Sequence, residues 1–280
     1  MRDLEAATYL ITGANTGIGR VTALALAARG ARLILAGRSR DKTEPVLTEL
    51  ADLGARASFV ALDLADLSSV RSCAAQLLQD APPLSGLINN AGMAGARGLT
   101  KDGFELTFGT NHLGPYLLTR LLLPLLQRDA PTRIVNVASA AHFGAKAIPW
   151  PQLSAPTRTR TGFPEYQVSK LCNVLFTKEL ARRLAGTQVV ALAVHPGMVA
   201  TDVWRQVPAP LRWLIKRFML SPQQGAASTQ AAATLPELSE ISGAYLDWNC
   251  QPRPPAKLAE DPALARELWQ RSAAWVGLPD

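Results

Sequence analysis

Apolar residues along this chain fall into two alternating rhythms. Short continuous runs, at 9–11, 32–36, 57–62, 86–88, 133–137, 188–194 and 243–246, have the length and apolar content of buried strands. Between them lie longer stretches of helical character, at 21–29, 41–53, 67–78, 102–126, 166–184 and 223–235. A last amphipathic stretch at 262–276 carries Trp269 and Trp275. Strand and helix alternate throughout, which predicts a parallel sheet with helices on both faces. No repeat and no flexible linker divides the chain, so residues 1–280 read as one domain with a helical extension at 255–280. Two segments break the rhythm. Residues 143–164 contain Pro149, Pro151, Pro156 and Pro164 and read as a long loop around an active-site rim. Within 202–222, Leu211, Leu214, Ile215 and Phe218 share a face at helical spacing. That face suits a lid over substrate, a helix resting on lipid, or a core- or subunit-facing helix.

Composition narrows the class. The chain has 280 residues, 48% hydrophobic and 18% charged, enough to bury the core of one large domain. The net charge of +7 comes from scattered Lys and Arg with no basic run, so nucleic acid is not expected and a phosphate-rich small ligand explains the charge more simply. The odd, dispersed set Cys73, Cys172 and Cys250 points to buried thiols in a reducing compartment. His112, His142 and His195 lack ligand spacing, so no metal site is expected. The N-terminus has no export signal, and the most apolar run, 117–126, is short and interrupted by Arg120 and Pro124. A cytoplasmic protein is expected, with peripheral membrane contact not favoured.

Candidate chemistry sits where predicted strands end. Between the first strand and first helix runs Thr12-Gly13-Ala14-Asn15-Thr16-Gly17-Ile18-Gly19. Glycines there permit the turn and the approach of a phosphate to the backbone, and the helix N-terminus faces the anion with unpaired N–H groups. At the tip of the second strand, where a carboxylate would bind the ribose of NAD, stand Gly37-Arg38-Ser39-Arg40. Arginines at that tip favour the 2′-phosphate of NADP(H) over NAD(H). Asp63-Leu64 follows the third strand and could receive an adenine amino group, while Asp66 reads as a cap for the next helix. Asn89-Asn90-Ala91-Gly92 offers small residues and amides that allow a flat ligand close packing. Asn111 lies inside a predicted helix where Asn is unfavourable. Its side chain or a loosened carbonyl could hold a water; the alternative is a satisfied core amide. Ser139 sits at the tip of the fifth strand. His195-Pro196-Gly197-Met198-Val199-Ala200-Thr201 forms a turn after the sixth, with His195 read as structural.

Tyr166 and Lys170 are four residues apart, which on a helix places both on one face. An ammonium about 4–6 Å from a phenol favours the phenolate and can lower its pKa by roughly 1–3 units. Tyr166 would then be usable as a general acid and base near neutral pH.

Together the spacings of Thr12-Gly13-x-x-x-Gly17-x-Gly19, Asn89-Asn90-Ala91-Gly92, Asn111, Ser139, Tyr166-x-x-x-Lys170 and Pro196-Gly197 resemble the short-chain dehydrogenase/reductase family over nearly the whole chain. Gly13-Ala14-Asn15-Thr16-Gly17-Ile18-Gly19, Thr110-Asn111-His112-Leu113-Gly114, the insert before Tyr166 and Leu268-Trp269 resemble its retinol dehydrogenase-like and WW-domain oxidoreductase-like branch. The resemblance implies a doubly wound Rossmann sheet of seven parallel strands ordered 3-2-1-4-5-6-7. It implies an oxidoreductase interconverting an alcohol and a carbonyl, and the rim residues 143–164 and 204–220 suggest an apolar pocket and hence a lipophilic carbonyl. Tyr166 would exchange the proton, Lys170 lower its pKa and hold the nicotinamide ribose, Ser139 orient the carbonyl and Asn111 hold a water relay. The loop Gly13, Asn15, Thr16, Gly17, Ile18 and Gly19 would take the pyrophosphate and Arg38 the 2′-phosphate. Asp63 and Leu64 would meet adenine, Asn90 with Ala91 and Gly92 the neighbouring ribose, and Pro196, Gly197, Val199 and Thr201 the carboxamide. Family relatives often pair through the helices at 102–126 and 166–184, which makes a homodimer one expected assembly. The sequence departs from the pattern in two ways: Ala138 replaces the first of a usual serine pair, and the apolar anchor typical of membrane-bound retinol dehydrogenases is not seen at the N-terminus. Two other readings are a non-enzymatic nucleotide sensor or scaffold on this fold and a sugar-nucleotide epimerase; the intact Tyr–Lys–Ser set and the glycine spacing disfavour them.

Overall fold

The protein is described here from a computed structural model covering residues 3–199 and 220–280. The strands are β1 (Thr8–Thr12), β2 (Arg32–Gly37), β3 (Ala57–Ala61), β4 (Gly86–Asn89), β5 (Thr132–Val137), β6 (Val189–Val194), β7 (Tyr245–Leu246) and β8 (Pro252–Arg253). They form one sheet in the order β3-β2-β1-β4-β5-β6-β7-β8. The first seven are mutually parallel and β8 is antiparallel to β7. The expected seven-strand order is therefore present, with a two-residue edge strand added beyond it.

The helices are α1 (Gly17–Ala28), α2 (Arg40–Asp52), α3 (Leu67–Asp80), α4 (Leu106–Phe108), α5 (Gly114–Arg128), α6 (Phe163–Arg183), α7 (Pro222–Thr234) and α8 (Pro262–Trp275). They cover both faces because side chains alternate along each strand. On β1, Tyr9 and Ile11 face a core with α1, α2 and α7, through Leu26, Val46 and Ala232. Leu10, between them, faces the other core, with α3, α5 and α6 through Val70, Leu118 and Leu175. Burial on both faces explains why the strands read as continuous apolar runs.

The expected single helix over 102–126 is broken. A π-turn over Gly109–Leu113 separates α4 from α5 and contains Asn111. Residues 99 and 105 pair as an isolated antiparallel bridge just before it. The segment 143–164 is less irregular than its prolines suggest. It follows on from a 3-10 turn at Ala140–Gly144, holds another at Trp150–Ser154, and buries Ala145, Ile148, Leu153 and Thr157. Thr157 Oγ1 donates to the buried carboxylate of Glu105 at 2.5 Å, so the insert is pinned to the body of the domain. Asp66 caps α3, accepting from the amides of Ser68 and Ser69. At the chain's end α8 lies on α5 and α6: Trp269 meets Tyr116 at 5.2 Å and Phe176 at 5.9 Å between ring centroids. α5 and α6 are the helices expected to pair in a homodimer, and here α8 occupies part of their outer surface. The apolar face at 207–220 lies outside the described residues, apart from Leu220. No helix among the described residues is long and apolar enough to cross a membrane.

Candidate active site

In a parallel sheet the carboxyl ends of all strands share one edge, and there the strand-to-helix loops enclose a cavity of about 600 Å³. At one end is the glycine loop after β1. Gly13 and Gly17 have φ of +67° and +55°, a region other L-residues rarely adopt. Gly19 is needed for space instead: a Cβ there would lie 2.5 Å from both Asn90 Nδ2 and the Gly13 carbonyl oxygen. Thr16, the N-cap of α1, gives no side-chain cap, so the first-turn amides of α1 have no partner from that residue. Backbone donors at a bare helix N-terminus, reached over glycines, fit a pyrophosphate.

Thr12 was part of the motif, but its role was not legible. Fully buried, its Oγ1 accepts from the amides of Asn90 at 3.1 Å and Ala91 at 3.0 Å, locking the β4 loop against the glycine loop. Asn90 completes the lock, donating from Nδ2 to the carbonyls of Thr12 at 2.9 Å and Gly13 at 3.1 Å. This changes the expected part of Asn90. Both of its amide hydrogens hold the loop, so a ribose would find only its carbonyl oxygen.

Beyond the loop, Arg38 lines the cavity, together with Lys42, which sequence reasoning missed. Lys42 is in the first turn of α2, and Arg38 just precedes that helix. Asp63 and Leu64 line the adjoining wall, and Asp63 Oδ1 also accepts the Ala65 amide at 3.0 Å.

The other end of the cavity gathers Ser139, Tyr166, Lys170, His195, Pro196, Gly197 and Val199. Thr201 lies outside the described residues. Ser139 lies two residues past β5 in an extended conformation, and its Oγ accepts the Ala141 amide at 3.1 Å, so its own hydroxyl hydrogen points to another acceptor. α6 begins at Phe163, three residues before Tyr166, with Pro164 in its first turn. Tyr166 and Lys170 therefore face the cavity from the same side of the helix. Lys170 Nζ donates to the Val137 carbonyl at 2.7 Å and lies 5.7 Å from the Tyr166 ring centroid.

The electrostatics reverse one expectation. Burial raises the Tyr166 pKa above its ordinary value, and a hydrogen bond with Ser139 only partly opposes it. Burial also lowers Lys170, from 10.5 to about 8. A spacing of four residues says that two groups share a face; it does not say that both leave water. Desolvation disfavours both charged forms, so Tyr166 is held as a neutral phenol.

Lys170 also gives a testable pH dependence. Between about pH 8 and 10.5 the unfolded chain keeps the lysine proton that the folded chain has released. The unfolded state then binds more protons, so stability rises with pH across that window. A shift of this size corresponds to about 3 kcal/mol. Urea titrations at the two ends of the window should show the wild type gaining by roughly that amount relative to Lys170→Met. A constant difference between the two proteins would contradict the buried ammonium.

For Asn111 the side chain follows the alternative of a satisfied core amide. Its Oδ1 accepts the Met93 amide at 2.9 Å, and its Nδ2 donates to the Met93 carbonyl at 2.9 Å and to Ser169 Oγ at 3.0 Å. The side chain is a satisfied core amide, 1% exposed and not part of the cavity wall. It clamps the β4 loop to α6. What remains for a water is the backbone, which the π-turn shifts out of the regular helical ladder. His195 behaves as a structural residue: its Nδ1 accepts the Gly197 amide at 3.3 Å, and burial lowers its pKa to about 4.

Comparison with known proteins agrees with this geometry. The short chain dehydrogenase family model matches residues 7–211. Human retinol dehydrogenase 13 is 42% identical over 97% of this chain and 85% of its own length. Human dehydrogenase/reductase SDR family member 13 is 40% identical over 99% of this chain and 75% of its own length. Among solved structures, an uncharacterized protein from Mycobacterium Paratuberculosis superposes with a TM-score of 0.78 at 36% identity, covering 99% of this chain and 96% of the other. A Beutenbergia cavernae protein, described as an NAD(P) dependent gluconate 5-dehydrogenase with bound NADP, does so with a TM-score of 0.73 at 26% identity, covering 89% and 99%. Matched by that family model over most of its length and 42% identical to a retinol dehydrogenase, the chain belongs to the short-chain dehydrogenase/reductase family, in its retinol dehydrogenase-like branch, and is an oxidoreductase of alcohol and carbonyl groups.

Proposed function

We propose that this protein is an NADP(H)-dependent oxidoreductase that interconverts a lipophilic aldehyde or ketone with its alcohol, using Tyr166 as general acid and base. The observation that carries this reading is the convergence of Tyr166, Ser139 and Lys170 at one end of a cavity whose other end is the glycine loop. When bound, the dinucleotide would supply the hydride. The chain's own residues would do the rest. The Gly13–Gly19 backbone and the N-terminus of α1 would bind the pyrophosphate. Ser139 would donate its hydroxyl hydrogen to the substrate oxygen. Tyr166, neutral because it is buried, would give up its proton to that oxygen in the reductive direction. Lys170, held by the Val137 carbonyl, would stabilise the phenolate left behind whenever it carries charge. The sign for pH follows: reduction needs the phenol and alcohol oxidation needs the phenolate, so reduction should weaken and oxidation strengthen as pH rises.

The NADP(H) preference rests on Arg38 and Lys42. Both are exposed on the cavity rim, and neither forms a salt bridge among the described residues, whereas neighbouring Arg40 pairs with Glu44 at 3.4 Å. Two uncommitted cations at the N-terminus of α2 suit a phosphate better than a bare hydroxyl. Arg38→Asp should cut kcat/KM for NADPH by roughly 10- to 100-fold, the value of a charge-assisted hydrogen bond, with little loss for NADH. An unchanged NADPH:NADH ratio would remove Arg38 from the selectivity. Support for a lipophilic substrate comes from the mouth of the cavity, where Phe163 is 39% and Met198 58% exposed. NADPH consumption across aliphatic, aromatic and steroid-like carbonyls tests the reading. No turnover with any of them, despite tight NADPH binding, would favour a nucleotide-binding scaffold.

A further inference from the structure

His142 is fully buried, one helical turn past Ser139, and both of its ring nitrogens are engaged. Nδ1 lies 2.7 Å from the Ser139 carbonyl oxygen, and Nε2 lies 2.9 Å from the Ala256 amide nitrogen. A carbonyl can only accept and an amide N–H can only donate. The ring is therefore neutral, with its proton on Nδ1, and any other protonation state breaks a contact. Phe143 and Tyr245 enclose the ring at centroid distances of 4.2 Å and 4.8 Å, which limits its rotation. Burial lowers the pKa of the imidazole, in keeping with that neutral form.

The Ser139 side chain has two partners of its own, the Ala141 amide and Tyr166. Ser139 follows the last residue pair of β5, and its carbonyl also accepts the His142 backbone amide, at a longer 3.2 Å. Its hydroxyl is held by the Ala141 amide alone among backbone donors. The imidazole thus supplies the shorter of two bonds that fix the Ser139 carbonyl, and it joins that carbonyl to residue 256, at the start of the C-terminal extension. We propose that His142 is a positioning residue: as a single neutral tautomer braced by the Ala256 amide, it sets the orientation of Ser139 and so couples the C-terminal extension to catalysis. This rests on the proposed role of Ser139 in orienting the carbonyl.

Asn and Gln separate the two halves of the imidazole. His142→Asn can place an N–H near the position of Nδ1 and keep the donor to Ser139. His142→Gln can place an oxygen near Nε2 and keep the acceptor for Ala256 without that donor. A reacting group misplaced by about 1 Å costs on the order of 100-fold in rate, so a partial shift of Ser139 should cost roughly 10- to 100-fold. With the best carbonyl from the screen above, His142→Gln should lose that much kcat while its NADPH Kd, read from tryptophan fluorescence, stays within about threefold of wild type. His142→Asn should recover most of kcat. Gln retaining full kcat would overturn the proposal, as would Asn and Gln losing kcat equally in step with Tm. If His142→Gln does not fold, Ala256→Pro replaces the bracing N–H with a ring carbon that presses on His142 Nε2, at a φ of −55° that proline accepts. It should lower kcat severalfold with NADPH Kd unchanged, and full activity would overturn the coupling. Ser139→Ala is run beside them. Full activity in Ser139→Ala sinks the catalytic reading itself, whereas its inactivity beside fully active His142 and Ala256 variants sinks only the inference.

Discussion

Tyr166→Phe is expected to lose roughly 10²- to 10⁴-fold in kcat, the usual worth of a placed proton donor, or about 3–5 kcal/mol of transition-state stabilisation. The substitution removes one oxygen and keeps the ring, which lies 6.0 Å from Phe163 in a buried site. The hydrogen bond with Ser139 is lost, a matter of about 1 kcal/mol in stability, so the fold should survive. The glycine loop and Arg38 are untouched, so NADPH affinity should stay near that of the wild type. Stopped-flow nicotinamide absorbance with a parallel fluorescence titration separates the two quantities. A variant that keeps most of its turnover would exclude Tyr166 as the acid. A variant that loses NADPH binding and turnover together would make it a binding residue only.

Gly19→Ala should fail in the opposite way. The added methyl would sit 2.5 Å from the Gly13 carbonyl oxygen and from Asn90 Nδ2, and the first of these is backbone that cannot swing aside. Because Asn90 ties the β4 loop to Thr12 and Gly13, relief of the clash must open the lock at the phosphate end of the cavity. Overpacking of this kind costs about 1–3 kcal/mol. Dinucleotide affinity should fall roughly 10- to 100-fold, and Tm should drop as well. Calorimetric titration with NADPH measures the first effect and a thermal melt the second. Wild-type affinity in Gly19→Ala would mean that this loop does not carry the phosphates.

What the sequence revealed, and what it concealed, divide along a physical line. Chain-local patterns were readable. Buried strands read as apolar runs, the glycine loop sat between a strand and a helix, and Tyr166 and Lys170 fell on one helical face because four residues make about one turn. Properties set by distant partners were not. Asn90 spends its amide on residues 77 and 78 positions away, and Asn111 spends its own on Met93 and Ser169, 18 and 58 away. No spacing rule counts such bonds, so Asn90 looked free for a ligand and Asn111 was open between a water-holding role and a satisfied core amide. The acidity of Tyr166 was misjudged for a related reason: sequence spacing fixes proximity to Lys170, while the three-dimensional packing fixes desolvation, and here desolvation governs. The break at Gly109–Leu113 was hidden because a π-turn adds one residue to a helix without changing its apolar rhythm enough to notice. His142 looked idle, since its second partner, Ala256, comes from 114 residues further along the chain.

The central claim is that this cavity holds a reduced dinucleotide against a carbonyl beside Tyr166, Ser139 and Lys170. Its most direct test uses NADPH deuterated at the reactive carbon of the nicotinamide, with the carbonyl that gives the fastest turnover, and mass spectrometry of the product. The account predicts an alcohol carrying one deuterium on the former carbonyl carbon, formed by the wild type and not by Tyr166→Phe. An unlabelled alcohol, or equal labelled product from the variant, would contradict it.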